Sequence, residues 1–221
     1  MQELQPYLQQ TLREKKSRLV RLAHCEVFVE WIGPPPPLVV FGAGHDAIPV
    51  VTLAKQLGWH VTVADGRPSY ATIARFPSAD RVVMMRPSDL LADIKITPDT
   101  MVVLMTHNYP QDVKLLRQII PARPRYLGLL GPRKRADGLF AEIGVRADSV
   151  NAHAPVGLDI GAETPEGIAL SIVSEMQAEL AGRPGMKLRH RTGPIHAAAE
   201  EAGNRQEEYS MEVDYASCEI V

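Results

Sequence analysis

Cysteine is scarce: the 221 residues hold two, Cys25 and Cys218, far apart and without metal-type spacing. That argues against a disulfide scaffold or a thiolate zinc site, and reduced thiols in a cytoplasmic compartment are expected. No apolar run approaches the ~20 residues that a membrane span requires. The opening Met1-Gln2-Glu3-Leu4-Gln5-Pro6 lacks the basic end and apolar core of a secretory signal. Excess charge is missing too. With 24 basic and 26 acidic residues the formal charge is −2, so nothing in the balance demands nucleic acid or a membrane as partner. No serine sits on a strand-to-helix elbow, which leaves a Ser–His–Asp hydrolase without support. His107, Asp159 and Glu163 are too dispersed for a compact metal motif, and no metal is expected.

What is present centres on Leu38-Val39-Val40-Phe41 followed by Gly42-Ala43-Gly44-His45-Asp46-Ala47. The apolar run reads as a parallel strand covered on both faces. Gly42 permits a sharp turn, and Gly44 removes a side chain where a phosphate would approach the backbone. From His45 the spacing becomes helical, with Ile48, Val51, Leu53, Ala54 and Leu57 facing a sheet. A helix opening there aims unpaired N–H groups and its positive dipole end at the glycines. Ala47 takes the third small position of the dinucleotide pattern. About twenty residues on, Val61-Thr62-Val63-Ala64 ends in Asp65, where a carboxylate would accept ribose hydroxyls. Asp65 can equally start the turn Asp65-Gly66-Arg67-Pro68.

Taken in order, Tyr7 to Leu22 reads as a basic, loosely amphipathic helix, a solvated face or an arm for a homodimer. Glu26 to Ile32 alternates like an edge strand. Gly33 and four prolines then form a stiff extended spacer. This divides the chain into an extension over 1–37, a nucleotide- or cofactor-binding domain over 38–196, and a loosely held tail over 197–221. Within the domain, 70–76 is a short helical or looped piece and 80–84 a strand. Pro87 to Leu91 begins a short helix. Met101 to Met105 is a central strand delivering Thr106, His107 and Asn108 to the carboxyl edge of the sheet, where open α/β sheets bind ligands. A helix over 112–120 and a strand over 125–130 follow. Gly131, Arg133, Lys134 and Arg135 then repeat the strand–glycine–helix design. Three cations in that first turn oppose the helix dipole. They are either a second anion contact or a solvated basic turn. Gly157, Asp159, Gly161 and Glu163 crowd the loop before a helix over 168–180, for which Thr164 is the cap and Pro165 the first residue. The alternation predicts an α/β fold with a doubly wound, mostly parallel sheet.

Four motifs together resemble the XdhC/CoxI family: Phe41 to Asp46, Met105 to Tyr109, Gly128 to Arg133, and Ala154 to Glu166. Gly193-Pro194-Ile195-His196 is similar to that family's end. The resemblance implies the family's Rossmann-like carboxy-terminal domain and a maturation factor for xanthine dehydrogenase-type molybdenum hydroxylases. Such a factor binds molybdenum cofactor, as molybdopterin or its dinucleotide form. With a cysteine desulfurase it assists sulfuration and insertion into the apo molybdenum hydroxylase, as a chaperone rather than a catalyst. The phosphate or pyrophosphate would lie on Gly42 and Gly44, with Arg133 and Lys134 on a second anionic group. Full-length members carry a further amino-terminal domain with a cofactor-contacting cysteine, with which Cys25 does not align. A separately encoded partner is therefore expected to supply that half.

Two other readings stand beside this one. Gly42, Gly44 and Asp65 alone favour an NAD(P)-dependent oxidoreductase, in which His107 would be the proton donor or acceptor. A third reading is a non-catalytic scaffold with a vestigial nucleotide pocket.

Overall fold

The computed structural model describes residues 2–146, 149–193 and 195. The expected tail over 197–221, with Cys218, lies outside these residues, as do Pro194 and His196. Residues 34–190 form one compact unit, and the described residues before Pro34 belong to another.

In the amino-terminal unit, helix α1 spans Gln5–Glu14 and stops at Lys15, whose φ of 53° is left-handed. The expected helix to Leu22 is thus half helix and half hairpin. Strand β1 (Arg18–Arg21) pairs antiparallel with β2 (Glu26–Val29). Burial alternates along β1, with Arg18 and Val20 inward, which is a period of two rather than the helical period assumed for Leu19 and Leu22. Arg18 can be buried because its guanidinium meets Glu14 at 2.8 Å.

The larger unit begins with β3 (Pro37–Phe41), from which the chain enters helix α2 (Ala47–Gln56) and then β4 (His60–Asp65). Next come β5 (Arg81–Met84), β6 (Met101–Leu104), helix α3 (Tyr109–Ile119) and β7 (Tyr126–Leu129). Helix α4 (Arg133–Ile143), the short β8 (Ala152–His153) and helix α5 (Pro165–Leu180) complete it. The order across the sheet is β5-β4-β3-β6-β7-β8, and every pairing is parallel. This is the doubly wound Rossmann arrangement, with strand order reversing between β3 and β6. Alternate residues of the strands face two cores. Leu38, Val40, Val61, Val63, Met101 and Val103 pack under α2 and α5. Val39, Phe41, Val102, Leu104, Leu127 and Leu129 pack under α3 and α4. Apolar side chains on both strand faces account for the unbroken runs in the sequence.

Several expected elements shift. The helix expected from Pro87 is a series of turns, because Asp89 Oδ1 accepts from the Leu91 N–H at 3.2 Å and Arg86 bridges back to Asp89. Residues 70–76, expected as a short helical or looped piece, take the looped form as turns. Helix α2 starts at Ala47 rather than His45, and its buried stripe is Ala47, Val50, Val51 and Ala54, with Leu57 half exposed. Strand β8 has two residues, too few for any periodicity to reveal. The loop after it is tied down by the Glu175 carboxylate, which accepts from the Gly157 N–H at 2.9 Å and the Tyr126 hydroxyl at 2.5 Å. No helix among the described residues is long and apolar enough to cross a membrane.

Gly42 fixes how closely β3 approaches β6. Its φ is 109°, and a Cβ there would stand 2.5 Å from the Met105 carbonyl carbon. Left-handed strain and overpacking against rigid backbone add, so Gly42→Ala is expected to destabilise the domain by about 3 kcal/mol. Urea unfolding with an unchanged m-value would measure it.

Candidate functional site

The turn between β3 and α2 lies at the carboxyl edge, where the strand order reverses. Gly42 N–H donates to the Ala64 carbonyl at 2.8 Å, and Ala43 N–H donates to Asp65 Oδ2 at 2.8 Å. The next three N–H groups, on Gly44, His45 and Asp46, meet no acceptor among the described residues. Asp46 occupies the cap position of α2 without capping it. Its carboxylate turns instead to His107, with Oδ2 to Nε2 at 2.8 Å. Ala47 is fully buried, as the third small position requires. The result is a run of unpaired donors at a positive helix end, suited to phosphate oxygens. A Cβ on Gly44 would meet the Asp46 carboxylate, which His107 holds, so the absence of a side chain here lets Asp46 close over the turn.

Asp65 is closer to the protein than a ribose-binding acid would be. Its buried carboxylate accepts four hydrogen bonds: from Ala43 N–H, from Arg67 N–H at 2.8 Å, and from Arg67 Nε and Nη2 at 3.0 and 2.8 Å. An ionised carboxylate offers about four lone-pair sites, and all are taken. Burial pushes the carboxyl pKa up, but the hydrogen bonds from Arg67 and Ala43 outweigh it and hold the group below the ordinary aspartate value. Three residues absent from the sequence-level site complete this corner. Tyr70 lies under the Arg67 guanidinium, 3.7 Å from ring centre to Cζ, and Arg75 approaches the same ring at 4.8 Å. Arg75 Nη2 also donates to the Ala43 carbonyl at 3.3 Å. Arginine–tyrosine spacing of this kind carries no sequence signal until the turn is known to fold back.

Beside the turn opens a cleft of about 610 Å³, walled by the ends of β4, β5 and β6 and the first turn of α3. Thr106, His107 and Asn108 all line it, as the sheet-edge argument predicts. Their roles differ. Asn108 caps α3, accepting from the Gln111 N–H at 3.2 Å. Thr106 donates to buried Asp112 at 2.5 Å, and Asp112 accepts from Arg135 at 2.8 Å. Arg135 is thus tied by one of its nitrogens to Asp112, while its neighbours on the same turn have no such bond among the described residues. Arg133 and Lys134 remain exposed on the first turn of α4, beyond β7 on the same edge. Gly131, with φ 122°, makes the turn that precedes them. Gly157 serves packing, since a Cβ there would collide with Ser171 on α5. Gly161 faces open space, and Asp159 and Glu163 are exposed. Among the described residues no hydrogen bond or ion pair joins Asp159 or Glu163 to the glycine turn. Thr164 caps α5, accepting from the Gly167 N–H at 3.1 Å.

The family model for the XdhC Rossmann domain matches residues 38–176. The chain belongs to that family. The XdhC domain here is 38% identical over 150 residues to a probable xanthine dehydrogenase subunit from Bacillus subtilis, covering 68% of this chain and 44% of that protein. It is 28% identical to the uncharacterized protein YqeB of Escherichia coli, over 96% of this chain and 43% of that one. A crystal structure of a xanthine dehydrogenase from Bacillus halodurans superposes with a TM-score of 0.65 at 32% identity, over 76% of this chain and 48% of that chain. The chain thus spans less than half the length of these relatives.

In the XdhC domain the Asp65 carboxyl has its pKa depressed on folding, so the stability it contributes is present above the unfolded value near 3.9 and is lost as pH falls through the folded value. Asp65→Asn is expected to cost about 2 kcal/mol at neutral pH, with the difference from wild type shrinking below about pH 4. Denaturant titrations of both proteins from pH 7 to pH 3 would show it; a pH-independent difference would mean the charge is immaterial.

Proposed function

We propose that this chain is an accessory maturation factor for a xanthine dehydrogenase-type molybdenum hydroxylase, holding molybdenum cofactor by its phosphate and assisting sulfuration and insertion. The carrying observation is the set of unpaired N–H groups on Gly44, His45 and Asp46 at an uncapped helix start, in a chain of the XdhC family. The names of the relatives support the association with xanthine dehydrogenase. When bound, the cofactor supplies the molybdenum and dithiolene chemistry. The chain's own part is to bind the phosphate on the glycine turn, orient the ligand against β6 and release it to the apoenzyme. A cysteine desulfurase and the apo hydroxylase are the proposed partners. The residues fit such a group: the free N–H donors of Gly44, His45 and Asp46 match phosphate oxygens.

A second reading, an NAD(P)-dependent oxidoreductase, draws on the Asp46–His107 pair, which places an imidazole with an orienting carboxylate at the sheet edge.

Calorimetry with molybdenum cofactor, its dinucleotide form, NAD(H) and NADP(H) separates the two. Cofactor binding is expected, with Gly44→Val weakening it by about 100-fold as branched carbons enter the phosphate position. The same variant should keep its melting temperature within a few degrees, because the group that must move is the Asp46 carboxylate, whose pair with His107 is exposed. Undiminished affinity in Gly44→Val would remove the turn from the site. Nicotinamide binding alone would select the oxidoreductase, and binding of none would leave a scaffold with a vestigial pocket.

A further inference from the structure

The cleft beside the glycine turn has an unusual balance of charge and acceptors. Dinucleotide folds of this strand order place an acid at the end of the second strand to accept a ribose diol. Here Asp65 occupies that place, yet its four acceptor sites are filled by Ala43 and by the backbone and guanidinium of Arg67. A ribose diol would find no free acceptor on Asp65 without first displacing Arg67. That arginine is held flat against Tyr70 at 3.7 Å, and half of its side chain remains exposed. Two of its five donors bond Asp65, so three are left for a ligand. Lys114, from the first turns of α3, lines the same cleft and has no acidic partner among the described residues. Among the lining residues Asp65 is the one acid, against Arg67 and Lys114. His107, also in the wall, has its Nε2 committed to Asp46. Apolar Met85 and Leu90 form the floor. At the place of the second-strand acid the wall therefore offers the donors and positive charge of Arg67, where a diol needs a carboxylate acceptor.

We propose that this cleft receives a phosphomonoester in place of a ribose diol, with Arg67 setting the preference and Lys114 as the second cation. Phosphate matches a guanidinium edge bidentately and accepts without donating, whereas a diol must donate. The inference rests on the reading that a ligand lies along the glycine turn, and it deepens that reading by naming what the adjoining cleft takes. Two sources share this chemistry: a 2′-phosphorylated nucleotide, and a small organic cofactor ending in a phosphate.

The test is calorimetry of the full chain with adenosine 2′,5′-bisphosphate, ADP and phenyl phosphate. The first two carry equal numbers of phosphates, and only ADP keeps its diol. The bisphosphate is expected to bind at least about tenfold tighter than ADP. Arg67→Ala frees two acceptor sites on Asp65 and should invert the preference. Lys114→Ala, which takes no part in the hydrogen bonds of Asp65, should weaken the bisphosphate and leave ADP unchanged, so the test survives if Arg67→Ala folds poorly. Phenyl phosphate binding as tightly as the bisphosphate, and depending on Arg67, supports the small-cofactor source. A clear excess for the bisphosphate supports the nucleotide. Equal or tighter binding of ADP by wild type, or a preference unmoved in both variants, overturns the proposal. Failure of all three probes to bind overturns it as well, while molybdenum cofactor binding that depends on Gly44 would still stand. Conversely, loss of the cofactor reading with these ratios intact leaves the phosphate preference in place.

Discussion

The hydrogen bond from the Ala43 N–H to the buried Asp65 carboxylate sets the geometry of the whole carboxyl edge. It ties the turn after β3 to the end of β4, while Gly42 presses the same turn against the Met105 carbonyl at the end of β6. A segment held from both sides cannot relax toward its own helix. The N–H groups of Gly44, His45 and Asp46 are left without an acceptor among the described residues. A buried carboxylate is costly unless it is fully hydrogen-bonded, and the arginine two residues on completes the set. Arg67 is thus as much a part of the turn as the glycines are.

The treatment of helix starts separates the site from its surroundings. Helices α3 and α5 are capped by Asn108 and Thr164 in the ordinary way. Helix α2 has an aspartate at the equivalent position, but that carboxylate goes to His107 and leaves the first turn open. His107 reaches Asp46 from a left-handed backbone, φ 52°, an arrangement that costs free energy in a residue other than glycine. Backbone strain in the loop after β6 and an unused cap on α2 meet in one side-chain pair. At α4 the opposite solution holds: Arg135, a cation that conflicts with the dipole, is drawn to Asp112, which also accepts from Thr106.

Much of this was legible in the sequence. The unbroken apolar runs at 38–41 and 101–105 gave the central strands, because a strand buried on both faces needs no alternation. The glycines with Ala47, and the delivery of Thr106 to Asn108 to the sheet edge, followed from the same reasoning. The amino-terminal hairpin was not legible, since leucines at 8, 12, 19 and 22 satisfy a helical spacing that Lys15 interrupts only through its backbone. Strand β8 escaped because two residues have no period. Arg135 and Gly157 point to ligand contact on charge and composition alone. Their actual neighbours, Asp112 and Ser171, are 23 and 14 positions away and invisible to local pattern.

Asp65 shows the limit most clearly. Spacing from the glycines marks it as an acid at the ligand site, and the following Gly66-Arg67-Pro68 marks it as the start of a turn. In sequence these are alternatives, but one carboxylate does both: it faces the glycine turn through Ala43 and closes its own turn through the Arg67 N–H. What decides its chemistry is the third contact, the guanidinium, which converts an acceptor for a ligand into the anchor of a donor. A rule based on where an acid stands cannot distinguish these outcomes, because acceptor capacity depends on what has already been bonded. In a doubly wound fold, the residue two places beyond the second-strand acid is therefore to be read together with it. An arginine there fills the acceptor sites that the acid would otherwise offer.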